Sequence, residues 1–375
     1  MMLSRRVFAS LPCVRITLIV AALAGSSLLS GAVAARVPGP GLHTGEDICH
    51  DGQTRSYDIR IPSGIDLDDS IVPLVVDLHG FTANSTIQRQ TSGFDELAES
   101  KGFIVVYPQG LFQNPDGPSW NGGPNCCGAA SSGHVDDVGF IRAIIEELLA
   151  TYTDNIDRSR IFATGASNGG ALTEMLACKA SDLITAFAPV AFPAVNNSAD
   201  CSGSCPYYRP RPIIVFQAGN DEVIPFNGGP TVLGTPVMSA DDTIAVWRQI
   251  NRCPATSSFN AVPPSSSLEP AFCKRYENCD TRAMVERCTV RGGDIVVPGV
   301  SMTGHDLYNN LDNLPIAETA YAFMMGATAG EYLPAQRCAA SADLTASEYE
   351  PDLSCQSAAE STVQPPAAPG ALTVQ

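Results

Sequence analysis

Short apolar runs, separated by amphipathic stretches and turn residues, set the pattern of this chain. Ser56-Tyr57-Asp58-Ile59-Arg60-Ile61 alternates polar and apolar positions, as a half-buried strand does, and Pro62 ends it. Pro73 to Leu78 is a second strand and runs into His79-Gly80-Phe81-Thr82. Phe94 to Ser100 reads as a helix, and Gly102 to Pro108 carries a buried strand. Asp136 or Asp137 caps a longer helix whose Val138, Ile141, Ile144, Ile145, Leu148, Leu149 and Tyr152 fall on one stripe. The apolar run Arg160 to Thr164 leads into Gly165-Ala166-Ser167-Asn168-Gly169, and Gly170 to Cys178 is rich in helix formers. Ala186 to Val190 and Pro212 to Gln217 are further strands. Residues 36–54 read as an irregular entry, and residues 110–134 as a long Gly/Pro/Asn-rich loop, a length that points to function in a compact domain. Strands alternating with helices predict an α/β fold: a mainly parallel central sheet covered by helices on both faces.

Strand, glycine-flanked serine and helix together match the G-x-S-x-G nucleophile elbow. The turn that exposes such a serine is strained, and its crowded positions leave no room for Cβ atoms, which explains the glycines. A serine hydroxyl is a weak nucleophile and needs a base, which in turn needs an acid to orient it. On an α/β-hydrolase sheet the chain order is serine, acid, histidine. Of the five histidines only His305 follows Ser167, in a Gly-containing loop after the apolar Ile295-Val296-Val297. Asp221, in the loop after the strand ending near Gln217, is the first choice of acid, with Glu222 as runner-up and Asp241 or Asp242 behind it. An oxyanion requires two backbone donors. Asn168 supplies one, and the His79-Gly80 stretch nominates Phe81, with Thr82 second, for the other. His79 itself reads as a structural loop residue. Trp120 is a candidate to line the acyl or alcohol pocket, against the alternative of packing into its own loop.

Composition narrows the setting. The formal charge is −17, and losing Arg5, Arg6 and Arg15 with a leader takes it to −20. So acidic a chain is not expected to bind nucleic acid or an anionic membrane. Arg5-Arg6, the apolar Ile16–Leu29 and Ala32-Val33-Ala34 form a secretory signal pattern, predicting cleavage near residue 35 and an exported product with no membrane anchor. The paired arginines also resemble a twin-arginine signal. Thirteen cysteines become twelve without the leader, an even set that fits a disulfide framework in an oxidising compartment. Adjacent Cys126 and Cys127 are expected to take different partners. Asn84-Ser85-Thr86 and Asn196-Asn197-Ser198 are glycosylation sequons. The expected organisation is a signal peptide over 1–35, one catalytic domain over 36–327 and an Ala/Ser/Pro-rich tail over 328–375, acting as a monomer without metal or organic cofactor.

Several stretches together are more specific than the elbow: Leu74 to Gly80, Trp120-Asn121 with Cys126-Cys127-Gly128, Val135 to Ile141, Gly165 to Gly170, Phe187 to Ala191, Asn220 to Phe226 with Gly228-Gly229, and Gly304-His305. On these residues the chain resembles the secreted polyhydroxybutyrate depolymerase and feruloyl esterase family of carbohydrate esterases, from about Tyr57 to about Met325. The resemblance implies the α/β-hydrolase fold and a triad of Ser167, Asp221 and His305. It also implies ester substrates: hydroxycinnamoyl or acetyl esters of polysaccharide, or short polyesters of 3-hydroxybutyrate. Two positions depart from the family: Gln217-Ala218 stands where a His-Gly pair is usual, and Asp306 where a tryptophan usually follows the histidine. Many members carry a polymer-binding module, which is not expected in the aromatic-poor tail, so soluble or oligomeric esters are favoured. A non-catalytic hydrolase-fold binding protein and a serine peptidase are the competing readings.

Overall fold

The computed structural model describes residues 38–67, 69–113, 117–195, 209–256, 258–261, 271–297 and 300–327. The expected leader, the tail and the second sequon lie outside them. The chain enters through a hairpin of β1 (Gly41–His50) and β2 (Gln53–Ile61). Its turn at Asp51-Gly52 has positive φ at both residues (49° and 72°), the left-handed geometry that two-residue hairpins require. The expected irregular entry is therefore a strand. Only Ile48 of β1 is buried, so backbone pairing to β2 holds an edge strand that offers no hydrophobic alternation to read.

β3 (Val72–Leu78) is buried at every position. It is followed by α1 (Ser85–Thr91), α2 (Phe94–Lys101) and β4 (Ile104–Pro108). Asn84, the first sequon's asparagine, caps α1 by accepting from Ile87 N at 2.8 Å. The stretch expected to be one long loop instead holds the small hairpin β5 (Leu111–Gln113) and β6 (Gly117–Ser119), then α3 (Gly128–Ser132). α4 (Asp137–Thr151) is capped by Asp136, whose carboxylate accepts from Gly139 N at 2.9 Å. β7 (Ile156–Ala166), α5 (Asn168–Lys179), β8 (Ala186–Val190) and β9 (Ile213–Ala218) follow. Then come the short pair β10 (Gly229–Pro230) and β11 (Pro236–Val237), α6 (Ala240–Ile250), β12 (Ser258–Ala261), β13 (Phe272–Tyr276) and β14 (Val285–Val290). The hairpin of β15 (Gly293–Val297) and β16 (Val300–Asp306), and α7 (Ile316–Ala327), complete the described chain.

Ten strands form one sheet in the order β1-β2-β4-β3-β7-β8-β9-β14-β13-β12. The run from β4 to β14 is parallel, and antiparallel strands close both edges. Two apolar cores flank it. One packs Ile141, Ile144, Leu148, Leu172, Leu176 and Trp247 of α4, α5 and α6 against the sheet. The other packs Phe94, Leu97, Ala320 and Met324 of α2 and α7 against the opposite face. This is the α/β-hydrolase architecture, with parallel strand ends gathering the βα loops at one edge of the sheet.

Cys253–Cys279 and Cys273–Cys288 are disulfides. Cys126 and Cys127 are bonded to each other, which corrects the expectation of separate partners. That expectation rested on the strain of a ring between neighbours; the peptide between them is cis, and their Cα atoms lie 2.9 Å apart.

Candidate active site

The strand-to-helix turn after β7 sets Ser167 at φ +52°, ψ −119°, a left-handed backbone that costs a non-glycine residue on the order of 1–3 kcal/mol. Neighbouring backbone enforces it. A Cβ on Gly169 would fall on the carbonyl oxygens of Leu78 and His79, and one on Gly170 would lie 2.6 Å from Val190 O. Only glycine lets α5 start so close to β3 and β8.

His305 reaches this serine from the far side of the sheet sequence. Its Nε2 lies 2.9 Å from Ser167 Oγ and its Nδ1 lies 2.8 Å from Asp221 Oδ2. The carboxylate can only accept, so Nδ1 carries the proton and Nε2 is left to accept from the hydroxyl. Asp221 is itself pinned: its Oδ1 accepts from Val223 N at 2.8 Å and Ile224 N at 2.9 Å. The side chains of His305 and Asp221 are 5% and 3% exposed, so water neither competes for nor screens their contact. The other acids are engaged elsewhere or point away. Glu222 is exposed, Asp241 pairs with Arg287 at 2.6 Å, and Asp242 accepts from the Ser239 hydroxyl that caps α6.

His305 was expected in a loop, and it stands on β16 instead. Gly304 N donates to Asp294 Oδ1 at 3.0 Å and Glu222 N donates to Thr303 O at 3.1 Å. Gly304, at φ +72°, packs directly on Asn220 O. Asn220 meanwhile bridges Gly292 through both its amide atoms, at 2.8 and 3.1 Å. Asp294 and Asn220 carry no sequence signature of this job. Asp294 acts across the β15–β16 hairpin, and Asn220 reaches Gly292 from 72 residues away.

Facing the serine is the segment after β3. A Cβ on Gly80 would lie 3.5 Å from Ser167 Cβ and from Ala166 O, so the backbone at Gly80-Phe81 stands directly against the nucleophile. Thr82 N is already spent on Pro118 O at 2.9 Å, which removes the second-choice donor. His79 is fully buried, its Nδ1 donating to Gly80 O at 2.7 Å and its Nε2 accepting from Gly110 N at 2.9 Å. Burial lowers its pKa to about 4. With both ring nitrogens occupied, it is a neutral brace for the loop and cannot serve as a base.

Trp120 is a correction. Its side chain is 0% exposed and presents no surface to a pocket. Its indole N–H donates to His79 O at 2.8 Å and its ring lies 4.7 Å from the His79 ring. The Asn168 amide clasps its backbone, accepting from Trp120 N at 2.7 Å and donating to Trp120 O at 2.9 Å. The sequence shows the tryptophan; it cannot show that the loop turns it inward. Of the two departures, Gln217 is buried with neither amide atom hydrogen-bonded. Asp306 accepts from the backbone and side-chain nitrogens of Asn309. Cys273, Glu286 and Cys288 bring possible metal-ligand atoms together, but the two sulfurs are joined to each other. Among the described residues no helix is long and apolar enough to cross a membrane.

Residues 55–200 match the Esterase PHB depolymerase family model. The chain is 33% identical over 243 residues to feruloyl esterase B of Piromyces equi, covering 64% of this chain and 42% of that one. It is 25% identical over 280 residues to poly(3-hydroxyalkanoate) depolymerase C of Paucimonas lemoignei, covering 71% and 56%. Among solved structures, the acetyl xylan esterase from Aspergillus awamori aligns with TM-score 0.49 at 14% identity, over 76% of this chain and 99% of that one. The chain thus spans about two fifths of the feruloyl esterase and just over half of the depolymerase. The resemblance to the polyhydroxybutyrate depolymerase and feruloyl esterase family drawn from the motifs is borne out by these relatives.

Proposed function

We propose that the protein is a secreted serine esterase in which Ser167, His305 and Asp221 form the catalytic triad. The reading rests above all on the continuous contact from Ser167 Oγ through His305 to Asp221. Ser167 Oγ attacks the ester carbonyl as its proton passes to His305 Nε2. The carbonyl oxygen becomes an oxyanion between the N–H groups of Phe81 and Asn168. The tetrahedral intermediate collapses as the imidazolium returns the proton to the leaving alcohol. Water then enters and attacks the acyl-enzyme carbonyl as it gives a proton to Nε2; collapse of the second tetrahedral intermediate releases the acid as the imidazolium returns that proton to Ser167 Oγ. Asp221 keeps the proton on Nδ1 throughout and offsets the imidazolium charge. This chain's substrates are carboxylic esters of the kinds its relatives are named for: feruloyl or acetyl esters on polysaccharide, or short hydroxyalkanoate polyesters. Secretion is supported by the leader pattern and the disulfides. We read residues 36–327 as the esterase domain and 328–375 as its tail.

Ser167→Ala, with its fold checked by circular dichroism, is expected to lose hydrolysis of a p-nitrophenyl ester and labelling by a fluorophosphonate probe. Activity at the wild-type level in that variant would refute the triad, and an unlabelled wild type would favour a binding protein. Wild-type rates on methyl ferulate, acetylated xylan and 3-hydroxybutyrate oligomers, with a peptide amide as the peptidase control, rank the substrates.

A further inference from the structure

The two flanks of His305 are held differently. On the N-terminal side, Asp294, Asn220 and Glu222 grip the backbone directly. On the C-terminal side, the Asp306 carboxylate accepts from Asn309, Asp306 pairs with Gly293 on β15, and Leu311 and Asp312 bond to Arg291 just before that strand. Tyr308 adds the anchor to α1: its hydroxyl accepts from Gln88 Nε2 at 3.0 Å across 220 residues of sequence. The same Gln88 nitrogen donates to Asp77 Oδ1 at 2.7 Å. Gln88 and Asp77 are 3% and 0% exposed, so both hydrogens of one amide are committed inside the protein. Asp77 is on β3 just before the oxyanion loop, and Gln88 is on α1 just after it. One amide therefore ties both ends of the Phe81 segment to the segment that carries His305.

We propose that Asp77, Gln88 and Tyr308 are positioning residues, a buried relay that keeps His305 within hydrogen-bond reach of Ser167 by docking its strand onto the two elements that bracket the oxyanion loop. None of the three touches the reacting atoms. The inference builds on the esterase reading in taking His305 as the base. What the relay needs from Asp77 is an acceptor, and burial pushes that carboxyl up to about 7, opposed by hydrogen bonds from Ser92 and Gln88. No basic side chain pairs with it among the described residues; it sits instead near the phenols of Tyr107 and Tyr308. The working form is thus the neutral acid, which an asparagine copies in shape and charge.

Four variants test this at about pH 6, where Asp77 stays protonated: Tyr308→Phe, Gln88→Met, Asp77→Val and Asp77→Asn. The first three are expected to lower kcat for a p-nitrophenyl ester about tenfold, the effect of one hydrogen bond, with KM within about twofold. Asp77→Asn is expected to keep wild-type kcat. The His305 Nδ1–H proton, followed by NMR, is expected to move upfield and broaden in the first three only. A change in melting temperature in all four, with kcat and the His305 proton unmoved, would overturn the proposal and leave the chain a purely structural one. If the wild type hydrolyses no ester, the esterase reading fails, and the His305 proton alone decides the relay.

Discussion

Glu174 lies in the second turn of α5, within the helix that follows the serine, and is wholly buried. Its Oε2 accepts from Trp247 Nε1 at 2.6 Å, and its Oε1 has no partner. Burial raises its pKa from 4.5 to about 8, opposed only by the indole. Between these two values the unfolded chain has lost the proton and the native protein keeps it. Stability from this group is therefore full below pH 4.5 and declines as pH rises towards 8. Integrating one proton between pH 5 and pH 8 gives a loss of roughly 3–4 kcal/mol. Glu174→Gln removes that slope. The amide oxygen can still accept from Trp247, but the new NH₂ group lacks a partner, at a cost of about 1–2 kcal/mol. The variant is thus expected to be less stable than wild type at pH 5 and more stable at pH 8. Urea unfolding of both proteins at each pH measures the difference, and contributions from other titrating groups, Asp77 included, cancel in it. A gap between variant and wild type that stays constant within about 0.5 kcal/mol from pH 5 to pH 8 would refute the buried, unpaired carboxyl.

The site and its supports make further predictions. Asp221→Asn reverses the hydrogen-bonding demand at His305 Nδ1, and kcat is expected to fall on the order of 10³–10⁴-fold with little change in KM. Gly169→Ala drives a methyl into the Leu78 and His79 carbonyls. Displacing the elbow by even a fraction of that overlap is expected to cost about 100-fold in kcat/KM, read by steady-state kinetics. Arg55 and Asp137 form a buried pair at 2.8 Å, with Arg55 stacked 3.8 Å over the Phe140 ring and Asp137 also accepting from Asn121 N. Arg55→Met leaves a buried carboxylate alone and is expected to cost about 3–5 kcal/mol in urea unfolding, most of it recovered in Arg55→Met/Asp137→Leu.

What could be read directly were features whose cause is local. The strands at 72–78, 104–108, 186–190 and 213–218 are buried on both faces, so burial writes continuous apolar runs into the chain. The glycines of the elbow are required by neighbours a few residues away or on the adjoining strands. Even His305 was found by chain order alone, because no other histidine follows the serine. Elements held by pairing or capping rather than by burial were harder to see. β1 is a mostly exposed edge strand. α1 is a single polar helix that buries only Ser85 and Gln88, so its amphipathic stripe is too short to register. Trp120 and the Cys126–Cys127 pair were misjudged for a related reason. Whether an indole faces solvent or core, and which sulfur a cysteine meets, depends on what the rest of the fold brings against it.

The sequence by itself determined the layers of the fold, the place of Ser167 on its strained turn and the order serine, acid, histidine, because each depends on residue types and on neighbours along the chain. Only the tertiary structure decided the rest: that Asp221 rather than Glu222 meets the imidazole, that His79 is spent bracing a loop, and that Asp77, Gln88 and Tyr308 join elements 220 residues apart. Hydrogen bonds are directional over about 3 Å, and a linear pattern carries no information about which distant atoms arrive within that distance.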